Sequence, residues 1–191
     1  GASGAGKTTI ARELLKDLPT DVQMVPSYTT REPRDTDIEG ECKHVSDFRF
    51  KFLKKIKAFL WTVYPHGNSY GTTKRWVIKA LRDENAVYLM ILTSDAVVRL
   101  REFAEKSGHP DGVFSFYILS PSQIILRERL RLRGDKEEEI NKRIKDCSRW
   151  DLEALTTGKS YYEFVENNST VESVTKEVVG KFLEKFGDNW F

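Results

Sequence analysis

The sequence predicts an α/β fold: a mostly parallel sheet with helices on both faces. Three observations predict it. Short apolar, strand-like runs alternate with amphipathic helical stretches along the chain. Two of those runs, AVYLMILTS (residues 86–94) and VFSFYILS (113–120), are almost unbroken, as expected of strands covered on both sides. And the chain begins with a glycine-rich loop, GASGAGKTT (1–9), that runs directly into a helical pattern.

Taken in order, Ile10, Leu14, Leu15 and Leu18 recur at helical spacing, and Pro19 stops that helix. VQMVPS (22–27) reads as a short strand leading into a polar loop. Phe48, Phe52, Ile56 and Phe59 or Leu60 recur every three or four residues, which predicts a helix from Asp47 to Leu60. FLWTVYPHGNSYG (59–71) predicts a strand and then a turn, and Thr73 to Glu84 a helix. After the apolar run at 86–94, SDAVVRLREFAEKSG predicts a helix ending at Gly108. The second apolar run precedes the basic helix IILRERLRLRG. The acidic DKEEE then opens a helix to about Leu155, followed by a strand in YYEFVE and a last amphipathic helix from Thr170 to Phe186. No internal repeat or low-complexity tract interrupts this order, so one domain with inserted subdomains is expected.

Composition narrows the function classes. The 39% hydrophobic residues, with 11 Phe and 4 Trp, supply a core and exclude a disordered chain. With 31 Lys and Arg against 29 Asp and Glu the net charge is +2, too balanced for a nucleic-acid footprint. Cys42 and Cys147 form no C-x-x-C pair and no metal-ligand spacing with His44, His66 or His109; they read as reduced thiols of a cytoplasmic protein. No apolar run approaches the roughly 18 residues of a membrane span. Neither nucleic acid nor membrane is therefore an expected partner, and monomer and homodimer both remain open.

The chemistry is concentrated in three segments. Gly1, Gly6, Lys7 and Thr8 satisfy G-x-x-x-x-G-K-[ST], in which backbone N–H groups curl around phosphates and the lysine reaches the terminal ones. The helix starting there turns its positive dipole end to the same anion. This predicts ATP or GTP binding, with the Thr8 hydroxyl offered to Mg²⁺. In SYTTREPR (27–34), Arg31 and Arg34 lie three apart, and two guanidinium forks at close quarters suit a phosphate monoester; a solvated basic loop is the competing reading. RERLRLRGDKEEEINKR spaces Arg129, Arg133 and Arg143 around a glycine break, the pattern of a mobile lid that neutralises charge on a transferred phosphoryl group.

With these motifs in place, nearly the whole chain resembles the guanylate kinase family, whose members are P-loop nucleoside monophosphate kinases. GASGAGKTT resembles the family's ATP loop, SYTTREPR its acceptor-phosphate loop, HGNSYGT its G-N-x-Y-G-[ST] turn, RLRLRG with INKR its lid, and VEN its late strand-to-Asn element. The resemblance implies a P-loop kinase fold with a mostly parallel central sheet, an inserted acceptor-binding subdomain and a helical lid. The core covers about 1–30, 86–126 and 156–191, the acceptor-binding subdomain about 31–85 and the lid about 127–155. It also implies transfer of the γ-phosphate of ATP to a nucleoside monophosphate, with GMP or dGMP favoured. ATP would be held by Ser3, Gly4, Ala5, Gly6, Lys7, Thr8 and Thr9 with Arg129, Arg133 and Asn167, the last near the adenine. Ser27, Arg31, Arg34 and Tyr70 would hold the acceptor phosphate, Thr72 would help to read guanine, and Thr8 would bind Mg²⁺. Lys7, Arg31, Arg34, Arg133 and Arg143 would carry catalysis.

The chain also departs from that pattern. ECKHVS lacks the family's acceptor-binding tyrosine, and Trp61, Met90 and Leu92 stand where the family has carboxylates for guanine recognition and the magnesium shell. Trp61 is expected to offer a flat apolar or stacking surface instead. Two alternatives stay open: a kinase for another small phosphate ester, such as a different nucleotide or a phosphorylated ribose, and a non-catalytic guanylate kinase-like protein-binding module. Because such a loop is normally positioned by a strand before it, a first core strand ahead of Gly1 is expected.

Overall fold

Helix positions follow from where apolar side chains recur. In the computed structural model, which describes residues 1–2, 4–17, 22–35, 37–157 and 161–186, the elements in chain order are α1 (Lys7–Asp17), β1 (Val22–Met24), β2 (Ser27–Thr29), β3 (Cys42–His44), α2 (Asp47–Lys55), β4 (Phe59–Val63), β5 (Tyr70–Thr73), α3 (Lys74–Arg82), β6 (Val87–Leu89), α4 (Ser94–Lys106), β7 (Ser115–Ile118), α5 (Gln123–Leu132), α6 (Glu137–Thr156), β8 (Tyr162–Val165) and α7 (Val171–Phe186). They fall into two compact units: Gly1–Asp17 with Phe114–Phe191, and Leu18–Val113.

The first unit pairs β7 with β8 in parallel register, Ser115 opposite Tyr162 through Ile118 opposite Val165. Helices α5 and α6 pack together through side chains three, four or seven apart. Leu126 and Leu130 from α5 meet Ile140, Ile144 and Cys147 from α6, with Ala2 of the glycine loop in the same cluster and Trp150 against it. Burying each of the larger aliphatic side chains contributes about 1.5–3 kcal/mol. Asp151 on α6 accepts hydrogen bonds from the Tyr117 hydroxyl at 3.0 Å and the Ser120 backbone N–H at 2.9 Å, which ties α6 to the end of β7. Helix α1 packs on α7.

The second unit holds two sheets. Strands β1 and β6 pair in parallel. The other sheet runs in the order β3-β2-β5-β4, parallel between β2 and β3 and antiparallel elsewhere. Ala96, Leu100 and Ala104, four residues apart on α4, are buried, and Ala96 and Leu100 share a cluster with Trp61 and Val77. On the other side of β4, the Phe59 ring lies 4.7 Å from Phe50 of α2 and 5.8 Å from Tyr28.

The fold is mixed α/β as expected, but the described strands form three small sheets rather than one mostly parallel sheet. Only Val87–Leu89 of the long apolar run is strand; the residues after it lead into α4. The helix expected to reach Leu60 stops at Lys55. Lys57 takes a left-handed φ of 54°, which closes the helix, and the aromatic and β-branched FLWTV continues as a strand. The segment expected as a polar loop after VQMVPS begins with strand β2, and the expected turn at 64–71 ends in strand β5.

Candidate active site

In the first unit the glycine loop leads into α1. Gly4 and Gly6 hold φ of +85° and +86°, a region open chiefly to glycine, which lets the loop curl. A Cβ on Gly4 would come within 2.6 Å of the Leu126 side chain, so α5 packs directly on the loop. A Cβ on Gly6 would collide with the Asn167 amide and lie 3.6 Å from an Arg129 guanidinium nitrogen. Loop, Arg129 and Asn167 therefore converge. Lys7 bends over the loop, its ammonium donating to the Ala2 carbonyl at 2.5 Å. Thr8 is half-buried and Thr9 exposed, both in the first turn of α1, while Ser3 lies outside the described residues.

Asn167 follows β8 and is 3% exposed. Its amide donates to the carbonyl of fully buried Ala5 at 2.6 Å, a contact spanning 162 residues of sequence. The asparagine that the resemblance sets near the adenine donates to the backbone of the glycine loop.

Arg133 caps α5, and Gly134 at φ +85° turns the chain towards α6. Arg133 grips Asp135 with two hydrogen bonds, Nε to Oδ1 at 3.2 Å and Nη2 to Oδ2, and Arg143 reaches the same carboxylate with its Nε at 3.4 Å. One acidic residue gathers both arginines. Arg127 and Arg131 pair instead with Glu137, at 2.8 and 2.5 Å. Asp135 escaped the sequence reading because it sat within an acidic run; its position directly after the R-G break was the available signal.

The second unit holds the other predicted group. Arg31 is buried, with its Nη2 on Asp37 at 2.7 Å and its Nη1 on the Glu32 carbonyl at 2.7 Å. Asp37 also accepts from the backbone N–H of Arg34 at 3.0 Å, and His44 Nε2 lies 3.3 Å from the same carboxylate. The other His44 ring nitrogen contacts the Arg31 carbonyl at 2.7 Å. Burial opposes ionisation of Asp37, but the hydrogen bonds from Arg31 and the Arg34 N–H, with the Arg31 and His44 charges, hold its pKa below the ordinary carboxylate value. Burial likewise opposes the charge on Arg31, and the bond to Asp37 outweighs it and raises its pKa. Burial, with the Glu41 charge nearby, pushes the Cys42 thiol up to about 11, leaving it protonated at neutral pH. Arg34 itself is exposed. Asp37 and His44 were missed from sequence, although an acid three residues after Arg34 was a readable cue.

Tyr70 lies opposite Thr29 on the ladder and near enough to Arg31 to act on its charge. Ser27 is half-buried, its backbone N–H on the Glu41 carbonyl at 2.8 Å. Thr72 is 0% exposed and, among the described residues, its hydroxyl has no hydrogen-bond partner. Trp61 is 3% exposed in the cluster that Met90 and Leu92 also pack against. The expectation that Trp61 presents a stacking surface is therefore corrected: β4 turns it into the core, where its rings fill space between Val77 and α4.

The guanylate kinase family model matches residues 1–185. The chain is 36% identical over 178 residues to a guanylate kinase of Caldanaerobacter subterraneus subsp. tengcongensis, covering 92% of this chain and 81% of that protein. It is 39% identical over 181 residues to the guanylate kinase of Carboxydothermus hydrogenoformans, covering 93% and 82%. The crystal structure of guanylate kinase from Anaplasma phagocytophilum superposes with a TM-score of 0.63 at 21% identity, covering 95% of this chain and 83% of that one, a likeness of fold. With a matching family model along nearly its whole length and relatives well above 30% identity, the chain belongs to the guanylate kinase family, enzymes that phosphorylate nucleoside monophosphates.

Proposed function

We propose that the chain transfers the γ-phosphoryl group of ATP to the phosphate of a nucleoside monophosphate, GMP being the acceptor named by its relatives. The observation that carries the donor side is the convergence of Lys7, Arg129 and Asn167 on a loop with two left-handed glycines at a helix N-terminus. Residues about 127–155 serve as lid and about 31–85 as the acceptor-binding part. A cytoplasmic setting fits this reading, with Cys42 and Cys147 as free thiols.

The reaction needs no covalent intermediate. The bond between the γ-phosphorus and the β-bridging oxygen breaks as an acceptor phosphate oxygen bonds to the phosphorus from the opposite side, and ADP leaves. The residues position and neutralise. Backbone N–H groups of the loop and the Lys7 ammonium hold the β- and γ-phosphates, and Arg129, Arg133 and Arg143 offset the charge on the moving group. Ser27, Arg31, Arg34 and Tyr70 hold the acceptor phosphate, and Thr72 faces its base. Among the described residues no group of three or more His, Cys, Asp or Glu side chains could hold a metal. A Mg²⁺ accompanying ATP would therefore rest on the Thr8 hydroxyl, phosphate oxygens and water, a ligand set it favours, and would supply further neutralisation of phosphate charge.

A coupled assay of ADP release with ATP and GMP tests this reading. Lys7→Ala should lower kcat by about 10²-fold or more while the melting curve stays close to that of the parent. Absence of ATP binding and of turnover in the parent would overturn the kinase reading.

A further inference from the structure

This inference rests on the kinase reading above and concerns what holds the proposed acceptor clamp in place. Strand β3 pairs in parallel with β2, Cys42 opposite Ser27 and His44 opposite Thr29. Side chains two apart on a strand share a face, so Cys42 and His44 stand on one side of β3 and Lys43 on the other. Lys43 lies over the Tyr28 and Trp76 rings, 5.6 and 5.1 Å from their centroids. On the opposite face the Arg31 guanidinium comes within 3.7 Å of the Cys42 sulfur, and the His44 ring meets the segment that carries Arg31 and Asp37.

Both of the contacts that His44 makes there are with acceptors. Its Nδ1 lies 2.7 Å from the Arg31 carbonyl oxygen and its Nε2 3.3 Å from Asp37 Oδ2. A carbonyl has no proton to give, and Asp37, held below the ordinary carboxylate value, has none at neutral pH. A neutral imidazole carries one N–H, so it serves one of these oxygens and turns a lone pair to the other; the doubly protonated ring serves both. The two cations do not compete for Asp37. Its Oδ1 takes the Arg31 guanidinium at 2.7 Å, and its Oδ2 takes the Arg34 backbone N–H at 3.0 Å beside His44.

With the ring charged, the group sets Arg31, Arg34 and His44 against Asp37, and with the ring neutral only the two arginines remain against it. The other titratable groups nearby are Cys42, Glu41 and Tyr70. The Cys42 thiol is pushed up to about 11 and stays neutral, Glu41 accepts the Ile38 N–H at 3.1 Å, and Tyr70 acts on Arg31. We propose that His44 is a positioning residue of the acceptor clamp: its doubly protonated ring ties the Arg31 backbone to Asp37 and adds a cation beside the arginines, so loss of that proton weakens the grip on the acceptor phosphate.

The test compares the parent with His44→Gln, which has no titratable ring, in steady-state kinetics with ATP and GMP across the range in which histidines change charge, about pH 5 to 8. At the acid end KM for GMP should be about fivefold higher in the variant, and the two proteins should converge at the alkaline end. Titration of the acceptor phosphate and of every other group is common to both proteins and cancels in that ratio. KM for ATP, and kcat at saturating GMP, should stay within about twofold, because the ring touches neither the donor nor the transferred group. His44→Phe, a ring without donors, should show the same raised KM at the acid end. A ratio of KM values that does not change with pH, or a phenylalanine variant with the parent's KM, overturns the inference and leaves the kinase reading intact. No turnover of GMP by the parent removes both. If the phenylalanine variant does not fold, the glutamine variant still decides.

Discussion

Replacing Asn167 by alanine isolates the contact that ties the end of β8 to the glycine loop. The wild-type amide donates to the Ala5 carbonyl at 2.6 Å, and both residues are buried. Alanine leaves that carbonyl without a donor and with no direct access to solvent. Stranding a buried acceptor costs about 1–3 kcal/mol. Each kcal/mol shifts the melting temperature of a domain of this size by about 2–4 °C, so a central cost near 2 kcal/mol predicts a fall of roughly 4–8 °C. The same loosening moves the loop N–H groups proposed to hold ATP, and an ATP affinity about tenfold weaker corresponds to ~1.4 kcal/mol. Thermal unfolding by circular dichroism and ATP titration by calorimetry read the two effects. Asn167→Asp sharpens the test: it keeps the shape but sets a carboxylate oxygen against a carbonyl oxygen, so it should lose at least as much stability as the alanine. If Asn167→Asp melts like wild type, the amide is not the donor to Ala5 and the reasoning fails.

Asp135→Asn removes the charge that gathers Arg133 and Arg143, and should cost about 1–3 kcal/mol and lower kcat; unchanged melting and turnover would show that Asp135 does not position these arginines. Arg34→Ala should raise KM for the acceptor by about tenfold or more with KM for ATP unchanged, and equal acceptor KM values would remove Arg34 from the clamp. The Asp37 carboxylate is held below its ordinary value of 3.8, so its contribution is complete above that pH and is lost as pH falls through the lower folded value. The stability difference between wild type and Asp37→Asn, from urea melts at stepped pH, should be constant near neutrality and shrink below about pH 4. A difference unchanged down to about pH 2 would contradict the ion pair.

The curled loop and the helix after it were legible because their physics is local: glycines at 1, 4 and 6, a lysine and a helical pattern stand together without help from the rest of the chain. Long amphipathic helices such as α4 were legible for the same reason. Strands β2 and β3 were not, since SYT and CKH are three residues each and carry no apolar alternation; pairing with each other and with β5 makes them strands. The aromatic spacing from Phe48 to Phe59 fitted a helix too well, and Lys57 in a left-handed conformation ended it where no glycine gave warning. Asp37 and Asp135 look in sequence like ordinary surface acids. Only the fold shows each one holding arginine, and only the fold shows Trp61, Met90 and Leu92 meeting in one cluster.

The first unit is assembled from two distant stretches of chain, Gly1–Asp17 and Phe114–Phe191, while the second is a single continuous stretch between them. This arrangement imposes a schedule on synthesis. A ribosome releases the glycine loop well before the loop's buried partners, Leu126, Leu130 and Asn167. The intervening stretch has its own contacts available early and can order while the rest is still being made. The glycine loop should then acquire protection after the second unit. Pulse-labelled hydrogen exchange during refolding should mark amides of β4 and β5 before those of α1, and simultaneous protection would show that the two stretches fold as one.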